Sequence, residues 1–209
     1  MSELKLIVFD CDGVMFDSKD ANRQFYNQLL AKGNHDPMDS EELEYVHSHN
    51  VMDSVQHIFR HYPPEETAQA HEYRKELDYT EFIRYMIIEP DLKEFLECLK
   101  PGYHTAISTN RTTTLPTLLK TFDLEPYFDK VVTAFDVPRP KPHPDALDLI
   151  LEHFGLRADE AIFIGDSMVD KEHAASVGMR LIAFKNPNLP AAYHVNNFME
   201  ITRLPFFRQ

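Results

Sequence analysis

The chain has 209 residues and a formal net charge of -13. This length allows one core, or a core domain with a small insertion. The acidic balance argues against binding to nucleic acid or to anionic membrane surfaces, although a metal ion and local cations can still attract an anionic substrate into a cleft. No apolar run approaches the length of a membrane span, and the N-terminus lacks a signal-type segment. We therefore expect a cytoplasmic protein without a membrane partner.

The first predicted element is a buried strand that ends in two carboxylates. Residues 6–9 are apolar and partly β-branched, and Asp10, Asp12 and Gly13 follow them. A period of two places both carboxylates on one side of the chain. Like charges at this distance repel, so one pKa rises unless a cation lies between them. The run predicts either a divalent metal site or a pair in which one carboxylate is a base while the other stays protonated.

Cys11 lies between these aspartates, and Cys98 is the other cysteine of the chain. Both fall inside predicted core elements, so we expect two reduced thiols rather than a disulfide. The Cys11 side chain is expected to point away from the carboxylates and to fill space in the core.

A helical insertion follows, because no strand pattern occurs over residues 17–88. Ser18 is predicted to cap a first helix with an apolar face, and Asp39 or Ser40 to cap a second one. Two further stretches have helical spacing, at 51–59 and 65–88.

From Glu89 onward, helix and strand patterns alternate. This alternation predicts a parallel sheet with helices on both faces, in an α/β fold that binds ligands beyond the carboxyl ends of its strands. The predicted helices are 92–99, 115–122, 145–154 and 171–177, and the predicted strands are 105–109, 131–133, 161–165 and 181–184.

Polar residues follow three of these strands as well. Thr109 and Asn110 end one strand with hydroxyl and amide donors that suit a phosphoryl oxygen. Alternating prolines around Lys141 predict an extended, stiff segment that presents its ammonium group. Asp166 and Asp170 add carboxylates at the same edge, which favours a hard cation, and Mg²⁺ over zinc.

Together these residues resemble the haloacid dehalogenase superfamily, and its phosphatase branch in particular. The motifs Asp10-Cys11-Asp12-Gly13, Thr109-Asn110, Lys141-Pro142 and Gly165-Asp166-Ser167-Met168-Val169-Asp170 stand in the family's order. The resemblance covers essentially the whole chain. It implies a Rossmann-like catalytic core over residues 1–16 and 89–209 and an all-helical cap domain over residues 17–88.

The resemblance also implies the reaction and its metal. Asp10 would attack phosphorus and form an aspartyl-phosphate. Asp12 would protonate the leaving oxygen and then take a proton from water. Mg²⁺ would be held by Asp10, by the carbonyl group of Asp12 and by Asp166.

The remaining motif residues would support this chemistry. Thr109 and the Asn110 amide would hold the phosphoryl group, and Lys141 would offset charge between it and the nucleophile. Asp170, with Ser167 beside it, would orient Lys141 or a water molecule on the metal.

The substrate is expected to be a small phosphorylated metabolite, as in a phosphoglycolate phosphatase. Alternatives are a sugar-phosphate mutase similar to β-phosphoglucomutase, a pyrophosphatase, a haloacid dehalogenase and a non-catalytic binding protein on the same scaffold. We expect a monomer or a weak dimer.

The cap loop with His47, His49 and Asn50 is predicted to set substrate choice without doing chemistry. His57 and His61 have the i,i+4 spacing of a helical metal pair. No third ligand is evident for them, so we interpret them as part of a helix face.

Overall fold

The computed structural model describes residues 3–49, 51–100 and 102–207. The chain forms two compact units: one combines the segment up to Phe16 with the segment from Ile88 onward, and the other is Asp17–Ile87. None of the helices in the described segments is long and apolar enough to cross a membrane.

The first unit is built on a six-stranded sheet in which every neighbouring pair is parallel. Its order is β5-β4-β1-β6-β7-β8, which places β1 and β6 next to each other at the centre. Two short strands, β2 and β3, pair separately where the chain passes from one unit to the other. The strands are β1 Leu6–Phe9, β2 Phe16–Asp17, β3 Ile87–Ile88, β4 His104–Ser108, β5 Lys130–Val132, β6 Ala161–Gly165, β7 Arg180–Phe184 and β8 Tyr193–Val195.

Helices of both units complete the structure. The second unit contains the first four and a 3₁₀ helix, Tyr79–Tyr85, and the first unit contains the other four. The α-helices are α1 Lys19–Lys32, α2 Ser40–Ser48, α3 Val51–Ile58, α4 Pro64–Glu76, α5 Leu92–Leu99, α6 Leu115–Thr121, α7 Asp145–Phe154 and α8 Met168–Ser176.

Strand β1 shows why the central strands read as continuous apolar runs. All four of its residues are buried, because alternate side chains enter different cores. Leu6 and Val8 pack in a cluster with residues of α7 and α8. Phe9 packs against the ring of Phe95 on α5, with 6.1 Å between ring centroids. The predicted helices on both faces of the sheet follow from this double burial.

Several local predictions were wrong. The helix expected over 65–88 ends at Glu76, because the Asp78 carboxylate accepts from the Thr80 N–H and begins a 3₁₀ helix instead. Ser18 precedes α1, but its side chain makes no capping hydrogen bond.

Strand β8 was missed, and Cys98 is exposed rather than part of the core. The strand has only three residues, which is too short for a clear period-two pattern. Cys98 lies on the solvent side of α5, whose buried face is formed by its leucines and Phe95.

Candidate active site

The loop after β1 carries Asp10 and Asp12 at the carboxyl edge of the sheet. Its Gly13 has a φ of +79°, and a Cβ built there would lie 2.2 Å from Oδ2 of Asp166. Only glycine permits both this left-handed backbone and the close approach of the loop to Asp166. The glycine of the first motif therefore brings the ends of two adjacent strands, β1 and β6, into contact.

The second glycine of the motifs, Gly165, performs the same task for Asp170. A Cβ at Gly165 would lie 2.4 Å from the Cβ of Asp170. Helix α8 can therefore begin directly against the end of β6. Its N-terminus is closed by Ser167, whose hydroxyl accepts from the Asp170 N–H at 3.2 Å.

Lys141 lies between two buried carboxylates. Its Nζ donates to Oδ1 of Asp10 and to Oδ1 of Asp170, each at 2.7 Å. Burial opposes a charged lysine, but the charges of Asp10 and Asp170 outweigh it and raise the Lys141 pKa above its usual value. The ammonium group is therefore held charged and fixed at the bottom of the site.

The segment that carries Lys141 differs from the prediction. The His143 N–H donates to the Pro140 carbonyl oxygen at 3.1 Å, which closes a turn where an extended rod was expected. The prolines still restrict the backbone, but the hydrogen-bonded turn brings Lys141 into the interior.

The carboxylates of the site are not equivalent. Burial and the nearby charge of Asp170 raise the pKa of Asp10 to about 7. Burial and the charge of Asp10 raise the pKa of Asp166 to about 8. Asp170 is different: burial would raise its pKa, but Lys141 and the hydrogen bonds from Ser167 and the Asp166 N–H lower it.

These three aspartates form a cluster that could hold a divalent cation, with one oxygen of each within 4.8 Å of the others. Asp170 already accepts from Lys141 and, through Oδ2, from the Ser167 hydroxyl and two backbone N–H groups. In Asp10 and Asp166, burial and the neighbouring carboxylates disfavour the charged form and raise the pKa, a cost that a cation between them would offset. The donor set, which is all oxygen, fits a hard cation between Asp10 and Asp166.

The Asp12 side chain is not part of this cluster and is paired with an arginine that the sequence analysis did not select. Arg111 donates from Nη2 to Oδ1 of Asp12 at 2.5 Å and from Nε to Oδ2 at 3.0 Å. Its Nη1 also donates to the Thr114 hydroxyl at 3.0 Å. A two-point pair of this kind fixes the direction in which the carboxylate points. The sequence feature that could have indicated this residue is its position, because Arg111 directly follows the motif Thr109-Asn110.

Thr109 and Asn110 lie at the end of β4, beside β1. The Thr109 hydroxyl accepts from the Arg111 N–H at 3.1 Å, and the Asn110 side-chain amide donates to the Lys141 carbonyl at 3.1 Å. The structure thus brings together all predicted residues of the core motifs at one edge of the sheet. It also adds Asn186, after β7, whose amide donates to the Asp166 carbonyl at 2.7 Å.

The predicted specificity residues of the cap belong to the second unit. The His47 ring lies 3.3 Å from the Asn22 amide nitrogen. The exposed His49 ring stacks on Tyr45 with 3.8 Å between centroids. Asn50 lies outside the described residues.

His57 and His61 do not share a helix, because α3 ends at Ile58. The i,i+4 metal-pair geometry is therefore not formed. The His57 ring stacks on Tyr45 with 3.6 Å between centroids, which agrees with a packed helix face. His61 follows the end of α3, so the same interpretation was wrong for His61.

Residues 7–184 match the model of the haloacid dehalogenase-like hydrolase family. The chain belongs to this family. The chain is similar to a haloacid dehalogenase superfamily hydrolase of subfamily IA from Geobacter sulfurreducens PCA, whose crystal structure is known. The two sequences are 36% identical, the TM-score is 0.85, and the match covers 96% of this chain and 95% of the other. The predicted family, the α/β fold class and the prediction of a hydrolase are confirmed.

Two curated relatives of this haloacid dehalogenase-like hydrolase carry phosphatase names. A phosphoglycolate phosphatase from Mannheimia succiniciproducens is 31% identical over 206 residues, which is 91% of each chain. A protein provisionally named a pyrophosphatase, from Caldanaerobacter subterraneus subsp. tengcongensis, is 39% identical over 109 residues. That match covers 51% of this chain and 50% of the relative's length. These names support a phosphatase.

Proposed function

We propose that this haloacid dehalogenase-like hydrolase is a Mg²⁺-dependent phosphatase that hydrolyses a small phosphomonoester through an aspartyl-phosphate on Asp10. One observation carries the proposal. The Asp10 carboxylate is buried at the carboxyl edge of the sheet, with Lys141 bonded to Oδ1 and Asp166 within cation-sharing distance. A nucleophile with a fixed ammonium group on one side and a cation site on the other suits attack on an anionic phosphoryl group.

The reaction would proceed in two displacements. An oxygen of Asp10 attacks phosphorus, the bond from phosphorus to the ester oxygen breaks, and Asp12 gives that oxygen a proton. Water then attacks the phosphorus of the aspartyl-phosphate and passes a proton to Asp12, which releases phosphate and restores Asp10. Arg111, which donates to both oxygens of Asp12, would orient the ionised Asp12 carboxylate for the step in which it takes the proton from water.

Other groups of the site would bind the phosphoryl oxygens. Thr109 and Asn110 follow β4 and bring a hydroxyl and an amide to the same edge. Lys141 would offset the charge that builds up between Asp10 and the phosphoryl group, and Asp170 would keep its ammonium in place.

Mg²⁺ fits the oxygen donors, with Asp10, Asp166 and the carbonyl group of Asp12 as its protein ligands. When bound, it would neutralise phosphate charge and so make attack by an anionic nucleophile possible. The raised pKa values of Asp10 and Asp166 support this set over one that includes the Asp170 carboxylate.

A phosphoglycolate-type substrate is favoured by the relative that matches over 91% of each chain. The pyrophosphatase name of another relative keeps pyrophosphate as a second candidate. The cap residues His47, His49 and Asn50 would select among such substrates, since the core motifs supply the groups for the phosphoryl oxygens. The protein would act in the cytoplasm as a monomer or a weak dimer.

A panel of small phosphomonoesters, pyrophosphate, sugar phosphates and a 2-haloacid tests these proposals. Phosphate release is measured with Mg²⁺ and after chelation, for the native protein and for Asp10→Asn. The expected result is Mg²⁺-dependent release from a phosphomonoester and a loss of several orders of magnitude in Asp10→Asn. Halide release, or a variant that keeps a tenth of the native kcat, would contradict the assignment.

The cap proposal has its own test within the same panel. Replacing His47 and His49 by alanine is expected to raise KM for the preferred ester and to flatten discrimination. Turnover of a small aryl phosphate, which makes little use of the cap, is expected to stay nearly unchanged. A double variant that keeps its substrate ranking but loses kcat on every ester would remove these histidines from substrate selection.

A further inference from the structure

A fully buried histidine lies directly beneath the site and has no part in the chemistry proposed above. His173 is on α8, one turn after Asp170, and its side chain is inaccessible to solvent. Its Nε2 lies 2.9 Å from the hydroxyl of Ser108, and its Nδ1 lies 2.8 Å from the carbonyl oxygen of His143. One imidazole ring therefore contacts two segments that are far apart in sequence.

The hydrogen bonds fix the form of this imidazole. A carbonyl oxygen only accepts, so Nδ1 of His173 carries the proton and donates to His143. Burial and the nearby charge of Lys141 lower the His173 pKa to about 4, so the ring is neutral and Nε2 accepts from the Ser108 hydroxyl. Both ring nitrogens are thus satisfied, and neither is available for proton transfer.

The two partners of His173 immediately adjoin the groups that would bind phosphate. Ser108 is the last residue of β4 and precedes Thr109. His143 closes the turn that holds Lys141. On the basis of the proposed phosphatase function, we propose that His173 is a positioning residue that holds the Thr109 strand end and the Lys141 turn in register.

The packing around His173 agrees with this role. The Phe163 ring on β6 meets the imidazole edge to face, with 5.6 Å between centroids, and Lys141 Nζ lies 5.5 Å from the centroid of the same ring. A rotation of His173 would therefore disturb the wall beside the ammonium group. Because Lys141 contacts both Asp10 and Asp170, a small shift of its turn would misplace it relative to the nucleophile.

Three variants separate positioning from simple packing. His173→Leu removes both hydrogen bonds and fills the space with an apolar side chain of similar size. Ser108→Ala removes only the bond to the strand end. His173→Asn keeps a donor near the position of Nδ1 and is the conservative replacement. Ile150→Val, in the buried face of α7, is the control, because it trims the core without touching a polar group.

The expected result is a fall in kcat of about tenfold to a hundredfold for His173→Leu on an aryl phosphate with Mg²⁺. Ser108→Ala should lose less, and His173→Asn should recover part of the loss. Inorganic phosphate should inhibit His173→Leu more weakly than it inhibits the native protein. Ile150→Val should melt earlier but keep its kcat. Native-like kcat and phosphate inhibition in both His173→Leu and Ser108→Ala would overturn the proposal.

A second readout does not depend on turnover. The hydrogen-bonded ammonium protons of Lys141 are expected to give a slowly exchanging ¹H–¹⁵N signal in the metal-free native protein, assigned by its absence in Lys141→Met. This signal should broaden in His173→Leu and in Ser108→Ala and persist in Ile150→Val. An unchanged Lys141 signal in both His173→Leu and Ser108→Ala would refute the positioning role. If the Lys141 signal changes across the variants as expected but the native protein hydrolyses no phosphate compound, only the phosphatase function would be refuted. Should His173→Leu fail to fold, Ser108→Ala and His173→Asn decide both readouts.

Discussion

Replacing Lys141 by methionine tests the centre of the site most directly. The substitution keeps an unbranched side chain of similar length but removes the two hydrogen bonds, each 2.7 Å long, to Asp10 and Asp170. Both carboxylates are buried, so little water can reach them to replace the lost ammonium group. The structure therefore predicts a loss of stability as well as of activity.

The size of the effect follows from this burial. Removing one partner of a buried ion pair costs about 3–5 kcal/mol, because a buried charge is left uncompensated. For a protein of this size, 1 kcal/mol corresponds to about 2–4 °C in Tm, so the metal-free variant should melt about 6–20 °C earlier. Mg²⁺ supplies positive charge to Asp10 and should recover part of this loss. The kcat for a phosphomonoester should fall by about a hundredfold to a thousandfold.

Thermal unfolding with and without Mg²⁺, together with steady-state kinetics, checks these values. Lys100→Met is the matched control, since the Lys100–Glu97 pair spans 3.4 Å on the surface and such pairs contribute about 0–1 kcal/mol. A metal-free Lys141→Met protein that melts within about 2–3 °C of this control would refute the argument from buried charge. A difference of that size is what the loss of one surface ion pair produces.

Three further outcomes are expected. Arg111→Met should reproduce the pattern of Asp12→Ala, with a larger loss on alkyl than on aryl phosphates. Without the two-point pair, the Asp12 carboxyl group is no longer directed at the leaving oxygen; equal losses in a leaving-group series would separate the two residues. In the metal-free protein, the pKa values of Asp10 and Asp166 are raised from 3.8 to about 7 and about 8, so the stability they contribute is present below about pH 4 and is lost as pH rises through 8. Urea titrations should therefore show a larger stabilisation by Mg²⁺ at pH 8 than at pH 5, and a constant increment would contradict it. Gly13→Ala should abolish the Mg²⁺-induced rise in Tm, since its Cβ would lie 2.2 Å from Oδ2 of Asp166; a native-like rise would show that the loop can move aside.

The sequence alone determined the fold class and the motif residues, because both depend on local patterns. Continuous apolar runs are typical of strands buried on both faces, as β1 shows. Polar residues directly after such runs must lie at the carboxyl edge of a parallel sheet. Asp10, Thr109, Lys141 and Asp166 are therefore expected together at this edge from the pattern of the sequence.

Only the tertiary structure decided which side chains pair. Arg111 is 99 residues from Asp12 in sequence, and His173 is 65 residues from Ser108. Neither pair has a periodicity or a spacing that a linear pattern could reveal, since its members meet only through the order of the strands and the start of α8. Charge compensation likewise depends on distances in space. The buried Lys141 donates to both Asp10 and Asp170, but only the pKa of Asp170 is lowered. Asp10 and Asp166 keep raised pKa values, a distinction that residue type alone does not contain.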